Sequence, residues 1–329
     1  MKLGNMEITP LAAESLGTRS LCTRVVTPDI NILLDPSAAI AKRYKLEPHP
    51  EEYIALKKSL TKIISAAEAA DVLSVSHYHF DHIRPGFENR VYNLSTRNER
   101  REMFSRKTVL TKDYRENINP SQRRRGFYFE KDVQEVATNL EWADDRSFRF
   151  NDTEVTYSPP LHHGPIQSPL GYVLSTLIEY SSKRFMFAPD VQGPVMPDTL
   201  QYILQCVPDV LIIGGPPTYL SKFKDNERDV ALNSLIVLAS TIPTLIVDHH
   251  LMRDRNWELW IVPVLKAAEK SGNKVLTMAE LLGVENMCLE ALREELYRNN
   301  PPDEEFMNWT HASEEYKLKH PPPVVGLNE

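Results

Sequence analysis

Residues 77–82 read His77-Tyr78-His79-Phe80-Asp81-His82, directly after the apolar, strand-like stretch Asp71–Ser76. Imidazole nitrogens and carboxylate oxygens suit zinc, iron or manganese, and four such groups within six residues outweigh the bland alternative of a histidine-rich surface turn. In a strand, residues two apart share a face, so His77, His79 and Asp81 are expected to converge. His82 joins them only if the chain turns where the strand ends. A fold for this chain must therefore offer a strand end and bring further ligands to it.

The remaining candidates sit in matching places. His162-His163-Gly164 follows the strand-like Thr153–Ser158 and a Pro159-Pro160 break, and Asp190 ends the apolar run Phe185-Met186-Phe187-Ala188-Pro189. His249-His250 ends Thr244–Asp248, and Asp35 ends Ile32-Leu33-Leu34. One acid at a strand end often caps the next helix. A series of such positions, each where a buried strand runs out, places functional groups where rigid scaffolds present them.

These candidates span Asp35 to His249 with no Gly/Ser-rich or Pro-rich divide between them, which argues for one domain over 1–329. A content of 42% hydrophobic and 25% charged residues supplies an ample core for a globular protein. Cys22, Cys206 and Cys288 show no paired spacing, the N-terminus lacks a charged-then-apolar signal pattern, and the longest uncharged stretch, Ala231–Val247, is interrupted by Asn233, Ser234 and Pro243. A cytoplasmic protein without disulfides or a membrane span is the expectation.

The pattern predicts strands first: Ile8–Ala13, Leu21–Thr27 and Asn31–Leu34 as an antiparallel meander, then a helix over Glu51–Ala70. A helical, basic insertion is expected at about 95–146, with a helix from Ser121 onward. Strands return at Phe148–Phe150, Glu154–Tyr157, Tyr172–Ile178 and Arg184–Phe187. After them, helices at 197–206, 226–240 and 256–270 alternate with strands at Val210–Ile213, Leu245–Val247 and Lys274–Thr277. Two sheets covered by outer helices, an α+β sandwich, fit this order. The polar tail at about 301–329 reads as a surface helix and a loose end.

The ordered motifs Asp35, His77 to His82, His163, Asp190 and His249 resemble those of the metallo-β-lactamase superfamily over most of the chain, roughly Ile8 to Leu282. A closer likeness, to an archaeal branch of hydrolase-like proteins, is carried by residues 11–17, 74–82, 118–125 and 248–254, and brings no substrate with it. The resemblance implies a four-layer αββα fold. It also implies one ion held by His77, His79 and His163, a second held by Asp81, His82 and His249, and Asp190 bridging them. Two divalent cations, zinc before iron or manganese, would sit roughly 3.5–4 Å apart and share a hydroxide. Asp81 would also serve in catalysis, and Asp35 would fix a ligand from behind.

Two departures from the family pattern matter. His162-His163 stands where one His is usual; His163 is preferred as ligand, because Gly164-Pro165 gives the tight turn, with His162 behind it. After His82 the usual glycine pair is replaced by Arg84-Pro85-Gly86. At the last motif His249 is preferred, since Arg253 then falls four residues on. His250 is the other choice of ligand, or a substrate-binding or proton-transfer group. Neighbours in an extended chain point opposite ways, so only one of each pair is expected at the metals.

Charge bears on the substrate. Between Arg97 and Arg125 stand ten Lys/Arg and four acids, in a chain of net charge −7. Arg123, Arg124, Arg125 and Arg253 are therefore candidate substrate-binding residues for a small phosphorylated molecule or nucleic acid, though a solvated basic surface is the plainer reading. The leading expectation is a dinuclear metal-dependent hydrolase, with phosphodiesters favoured over lactones or thioesters. The alternatives are an iron-dependent redox enzyme on the same fold and a non-catalytic metal-binding scaffold.

Overall fold

The computed structural model describes residues 1–327. The first sheet takes its strands in chain order: β1 (Lys2–Leu3), β2 (Met6–Pro10), β3 (Thr23–Val26), β4 (Asn31–Leu34), β5 (Val72–Val75), β6 (Thr108–Thr111) and β7 (Asn139–Trp142). β2 to β4 form the expected antiparallel meander, β1 adds an unexpected antiparallel edge to it, and β4 to β7 run parallel. The remaining strands are β8 (Ser147–Phe150), β9 (Thr153–Tyr157), the short pair β10 (Leu161–His162) and β11 (Tyr172–Val173), then β12 (Thr176–Tyr180), β13 (Lys183–Ala188), β14 (Val210–Gly214), β15 (Thr244–Asp248) and β16 (Lys274–Leu276). All but β10 and β11 build the second sheet, in the order β16-β15-β14-β13-β12-β9-β8, with β13 to β16 parallel.

Alternation along the strands decides the layering. Ile32 and Leu34 of β4 face the second sheet, where Val155, Ile178, Phe185 and Ile212 meet them in a shared buried layer. Leu33, one residue out of phase, faces outward with Leu73, Val75 and Val109. Three helices cover that outer face: α1 (Pro50–Ala69), α2 (Glu99–Phe104) and α3 (Pro120–Val133). On the far side, α4 (Pro197–Cys206), α5 (Asp225–Thr241) and α6 (Trp257–Ser271) cover the second sheet through residues such as Ile203, Leu235, Leu238 and Val264. The result is the four-layer αββα sandwich. No helix among the described residues is long and apolar enough to cross a membrane.

Helix α1 shows how the sequence sets an element. His49 caps it, Glu52 reaches back 2.9 Å to the His49 N–H, and Pro50 occupies the first turn, where its missing N–H costs nothing. Tyr53, Leu56, Leu60 and Ile63 then recur at helical spacing on its buried face.

Two expectations need correction. Residues 95–146 are not simply a helical insertion, because β6 and β7 extend the first sheet within them. Their strand signal is short and flanked by charges, so it hid inside a polar region. Nor does the chain beyond residue 301 end loosely over its described length. After α7 (Met278–Leu281) and α8 (Arg293–Asn299), α9 (Glu304–His311) and α10 (Glu314–Lys319) fold back on the body. Phe306 and Trp309, one turn apart, pack edge-on against Tyr53 of α1 and are buried. The end of the expected tail, residues 328–329, lies outside the described residues.

Phe306→Ala should therefore lower stability by about 3–5 kcal/mol, the usual cost of emptying a buried aromatic site. Denaturant unfolding checks this; an unchanged midpoint would show that the tail is not part of the core.

Candidate metal centre

The parallel strands β4, β5, β13 and β15 deliver their following residues to one edge of the sandwich. β5 ends at Val75, so the motif lies beyond the strand rather than in it. Residues 79–83 turn back on themselves, with the His82 and Ile83 N–H groups each donating to the His79 carbonyl at 2.9 Å. That turn brings His82 to the same side as His77 and His79. Tyr78 points the other way, fully buried, its hydroxyl donating to the Lys112 carbonyl.

Asp190 sits at the centre. Its Oδ2 lies 2.9 Å from His77 Nε2, 2.9 Å from His163 Nε2 and 3.9 Å from His79 Nδ1. Its Oδ1 lies 2.9 Å from His249 Nε2. His249 Nε2 is also 3.2 Å from His82 Nε2 and 3.8 Å from Asp81 Oδ2, and His82 Nε2 is 3.4 Å from Asp190 Oδ2. Four overlapping sets of possible ligands result: His77–His79–His163 with Asp190, Asp81–His82–His249, Asp190–His249–His250, and Asp35–His77–His82; the first two match the expected pair of ion sites, and Asp190 lies between them. Gly214 lets this happen: a Cβ there would stand 2.8 Å from the Asp190 backbone nitrogen.

The residues fit a pair of transition-metal ions. His163 Nε2 and Asp190 Oδ1 are buried and have no hydrogen-bond partner, although each lies close to a polar atom. Atoms so placed aim at common points between them, and a buried polar atom left this way is costly unless something satisfies it. Imidazole and carboxylate without thiolate is a donor set for zinc, iron or manganese.

Partners behind the ring determine which nitrogen is bare. Asp35 Oδ2 lies 2.8 Å from His82 Nδ1 and accepts from Ser76 Oγ at 2.6 Å. With its proton given to Asp35, Ser76 Oγ is left to accept from His77 Nδ1, 2.9 Å away. Glu14 Oε2 lies 2.8 Å from His249 Nδ1, so the outer partners take up Nδ1 of all three rings and leave Nε2 as the atom facing the cluster, the one a metal would use once its proton is lost. Arg253 clamps this second group, donating from Nε to Glu14 Oε1 at 2.5 Å and lying 3.5 Å from Asp81 Oδ2. Glu14, Ser76 and Gln192, whose amide lies 3.4 Å from His163 Nδ1, carried no role in the sequence reading. Glu14 had a faint signal, as the acid in the 11–17 segment.

Charge follows from the packing. Burial, together with the His82 charge, pushes His77 well below the usual imidazole range, and burial with the His249 charge does the same to His250. For Asp81 and Asp190 burial acts upward, yet the surrounding imidazoles hold both well below the carboxylate range.

The other expected site residues fall into three positions. Asp35 is behind His82, as described. His162 is on β10 with its ring 4.6 Å from that of Tyr172, and among the described residues it makes no side-chain hydrogen bond or ion pair to the cluster. His250, by contrast, joins His249: its Nδ1 is 3.7 Å from Asp190 Oδ1 and has no hydrogen-bond partner. The rule that neighbours point apart fails here because His249 has φ 63° and opens the 3-10 turn His249–Arg253, so the chain is not extended.

The arginines also divide. Arg253 is buried and spent on Glu14 and Asp81, so it positions the centre and is not free for substrate. Arg123 is exposed and lines no cavity at the centre, and Arg124 is exposed on a neighbouring cavity. Arg125 alone of the three borders the metal-side cavity, held by a 3.1 Å bond to the Tyr78 carbonyl. Much of the basic run is neutralised, as in Arg100–Asp132, Arg101–Glu135 and Lys112–Asp144.

A family model for the β-lactamase superfamily domain matches residues 30–215. The chain is 41% identical over 294 residues to a UPF0282 protein of Methanopyrus kandleri, covering 88% of this chain and 99% of that one. It is 38% identical over 304 residues to a UPF0282 protein of Methanocaldococcus jannaschii, covering 92% and 100%. Among solved structures it is similar to a metal-dependent hydrolase of the β-lactamase superfamily, with TM-score 0.44 and 10% identity over 83% of this chain and 95% of that one. It is also similar to CmlA, a diiron β-hydroxylase from Streptomyces venezuelae, with TM-score 0.47 and 12% identity over 83% and 52%.

Glu14→Gln should weaken the ion on the Asp81–His82–His249 side by about 10–100-fold, the usual effect of losing a ligand's outer partner. The other ion should be retained. Zinc titration of the apoprotein reads this as one weakened equivalent of two; equal weakening of both would contradict the division into two groups.

Proposed function

The chain belongs to the β-lactamase superfamily, and from that premise we propose that it is a dinuclear metal-dependent hydrolase acting on phosphodiesters. The observation that carries the reading is Asp190, whose Oδ2 lies 2.9 Å from His77 and His163 and whose Oδ1 lies 2.9 Å from His249, between the two expected ion sites. When bound, two divalent cations would lower the proton affinity of a water and offset charge building on the ester oxygens.

The protein's own part is to bind and orient. A cavity of about 410 Å³ opens over the cluster, with His79, Asp81 and His250 on its floor. His250 lines this cavity, and its Nδ1, buried without a hydrogen-bond partner 3.7 Å from Asp190 Oδ1, is a further nitrogen turned toward the cluster. Asp81 is fixed by Arg253 with its carboxylate partly exposed, so it can hold an attacking water in place. Arg19 and Arg253, also on this cavity, are paired with Glu290 and Glu14. Arg125 has no carboxylate within ion-pair distance among the described residues. It is the cation left to grip an anionic ester, which favours phosphodiesters over lactones and thioesters.

Protein purified without added metal should carry about two transition-metal ions, zinc ahead of iron, by elemental analysis. It should hydrolyse bis(p-nitrophenyl) phosphate, lose this with a chelator and regain it with zinc. His79→Ala should lose metal and activity yet stay folded, because the core is built elsewhere. Arg125→Ala should raise the KM for the phosphodiester roughly tenfold or more while leaving p-nitrophenyl acetate nearly unaffected. A fully metal-loaded protein inert toward phosphodiesters would sink the reading.

A further inference from the structure

A second cavity, of about 490 Å³, lies beside the metal-side one and shares Phe80 and Arg125 with it. Phe80 and Arg125 thus form the border between the two cavities. The back of this side cavity is the Arg100–Asp132 ion pair, seated against Gly86, where a Cβ would come within 1.9 Å of an Arg100 nitrogen. That pair is neutral in sum. Arg124 and Arg125 are not so paired: among the described residues no carboxylate lies within ion-pair distance of either. The first turn of α3 reaches the cavity at Ser121, adding the positive end of a helix.

Aromatic rings supply the rest. The Arg125 guanidinium lies over Phe80, 4.5 Å from the ring centroid, and Phe87 stands edge-on to Phe80. Phe87 and Tyr128 are 46% and 48% exposed and both line the cavity, so it carries ring surface open to a ligand. Open aromatic faces next to unpaired guanidinium groups suit a flat ring joined to a phosphate. A neutral apolar ligand would leave the arginines unused, and a bare anion would leave the rings unused.

We propose that the side cavity is a nucleotide subsite, in which Phe87 and Tyr128 receive the base and Arg124 and Arg125 hold phosphate, with the ester directed toward the metal centre. The inference rests on the hydrolase reading only for that direction. It gives the proposed phosphodiester substrate a class, one with a nucleoside on the side of Arg125.

The test is calorimetric binding of AMP, ribose 5-phosphate, adenosine and inorganic phosphate to the zinc-loaded protein. AMP should bind about tenfold or more tighter than ribose 5-phosphate, because each base stacked on an aromatic ring contributes at that scale. Tyr128→Ser and Phe87→Ala, at half-exposed positions, should reduce that ratio toward one with metal content unchanged. Arg124→Ala should weaken AMP and ribose 5-phosphate alike. Equal binding of AMP and ribose 5-phosphate to the unaltered protein overturns the proposal without depending on any variant. So does a ratio that survives both aromatic substitutions. If AMP is preferred but bis(p-nitrophenyl) phosphate is not hydrolysed, the subsite stands and the hydrolase reading falls.

Discussion

Asp190 is the constraint around which the centre is built. A carboxylate this buried, 1% exposed, is expensive to keep charged unless positive or hydrogen-bonding groups surround it. Here four imidazoles, from His77, His82, His163 and His249, come within 3.4 Å of its oxygens, and they come from both sheets. The backbone bends to allow it. Asp35, Asp190, Gln192 and His249 all have φ between 35° and 63°, a region that side chains other than glycine enter at some cost. Such residues persist only where packing fixes them, and the parallel strands leading into them are almost wholly buried. The sandwich thus holds strained strand ends against each other.

A second ring of buried charges holds the ligands from outside. Glu14 joins His249 to Arg253, and Arg253 joins Glu14 to Asp81. Farther out, Arg19 pairs with Glu290, whose carboxyl is pulled down to about 2 despite its burial by the Arg19 guanidinium. Asp248, just before His249, accepts from the Ser15 and Met278 N–H groups at 3.2 and 2.9 Å, tying the Glu14 turn and α7 to the last ligand. Breaking one member of such a set leaves a buried charge exposed to nothing, so these contacts fix geometry more than they add stability.

The residues that meet in the cluster were legible as a set because each combines an unusual residue type with an apolar strand shortly before it. The alternation of Ile32, Leu33 and Leu34 likewise carried the two-sided burial of β4. Glu14 was not legible: it meets His249 from 235 residues away, and an acid in a short turn looks like any other. The basic run misled for a related reason. Asp132, Glu135 and Asp144, the acids that quench it, lie outside the run, and only folding brings them to Arg100, Arg101 and Lys112. Phe306 and Trp309 did carry a helical apolar pair, but a two-residue stripe in a polar tail is too weak a signal to outvote its surroundings.

What fixes metals and what would select substrate are built from different parts of the chain. The ligands and their outer partners lie at strand ends and are nearly all buried. The side cavity takes Gly86 and Phe87 from the segment after His82, where Arg84-Pro85-Gly86 replaces the glycine pair of the wider family pattern. Arg84 is fully buried, donates to the Asn93 carbonyl at 2.8 Å and pairs with Glu99, so it braces the loop that carries Phe87. Gly86 then gives Arg100 and Asp132 room to lie flat behind the side cavity. The departure from the family pattern therefore leaves the His/Asp cluster intact and shapes the cavity next to it. Substitutions on that loop can change which molecule reaches the cluster while the frame that positions Asp190 stays as it is.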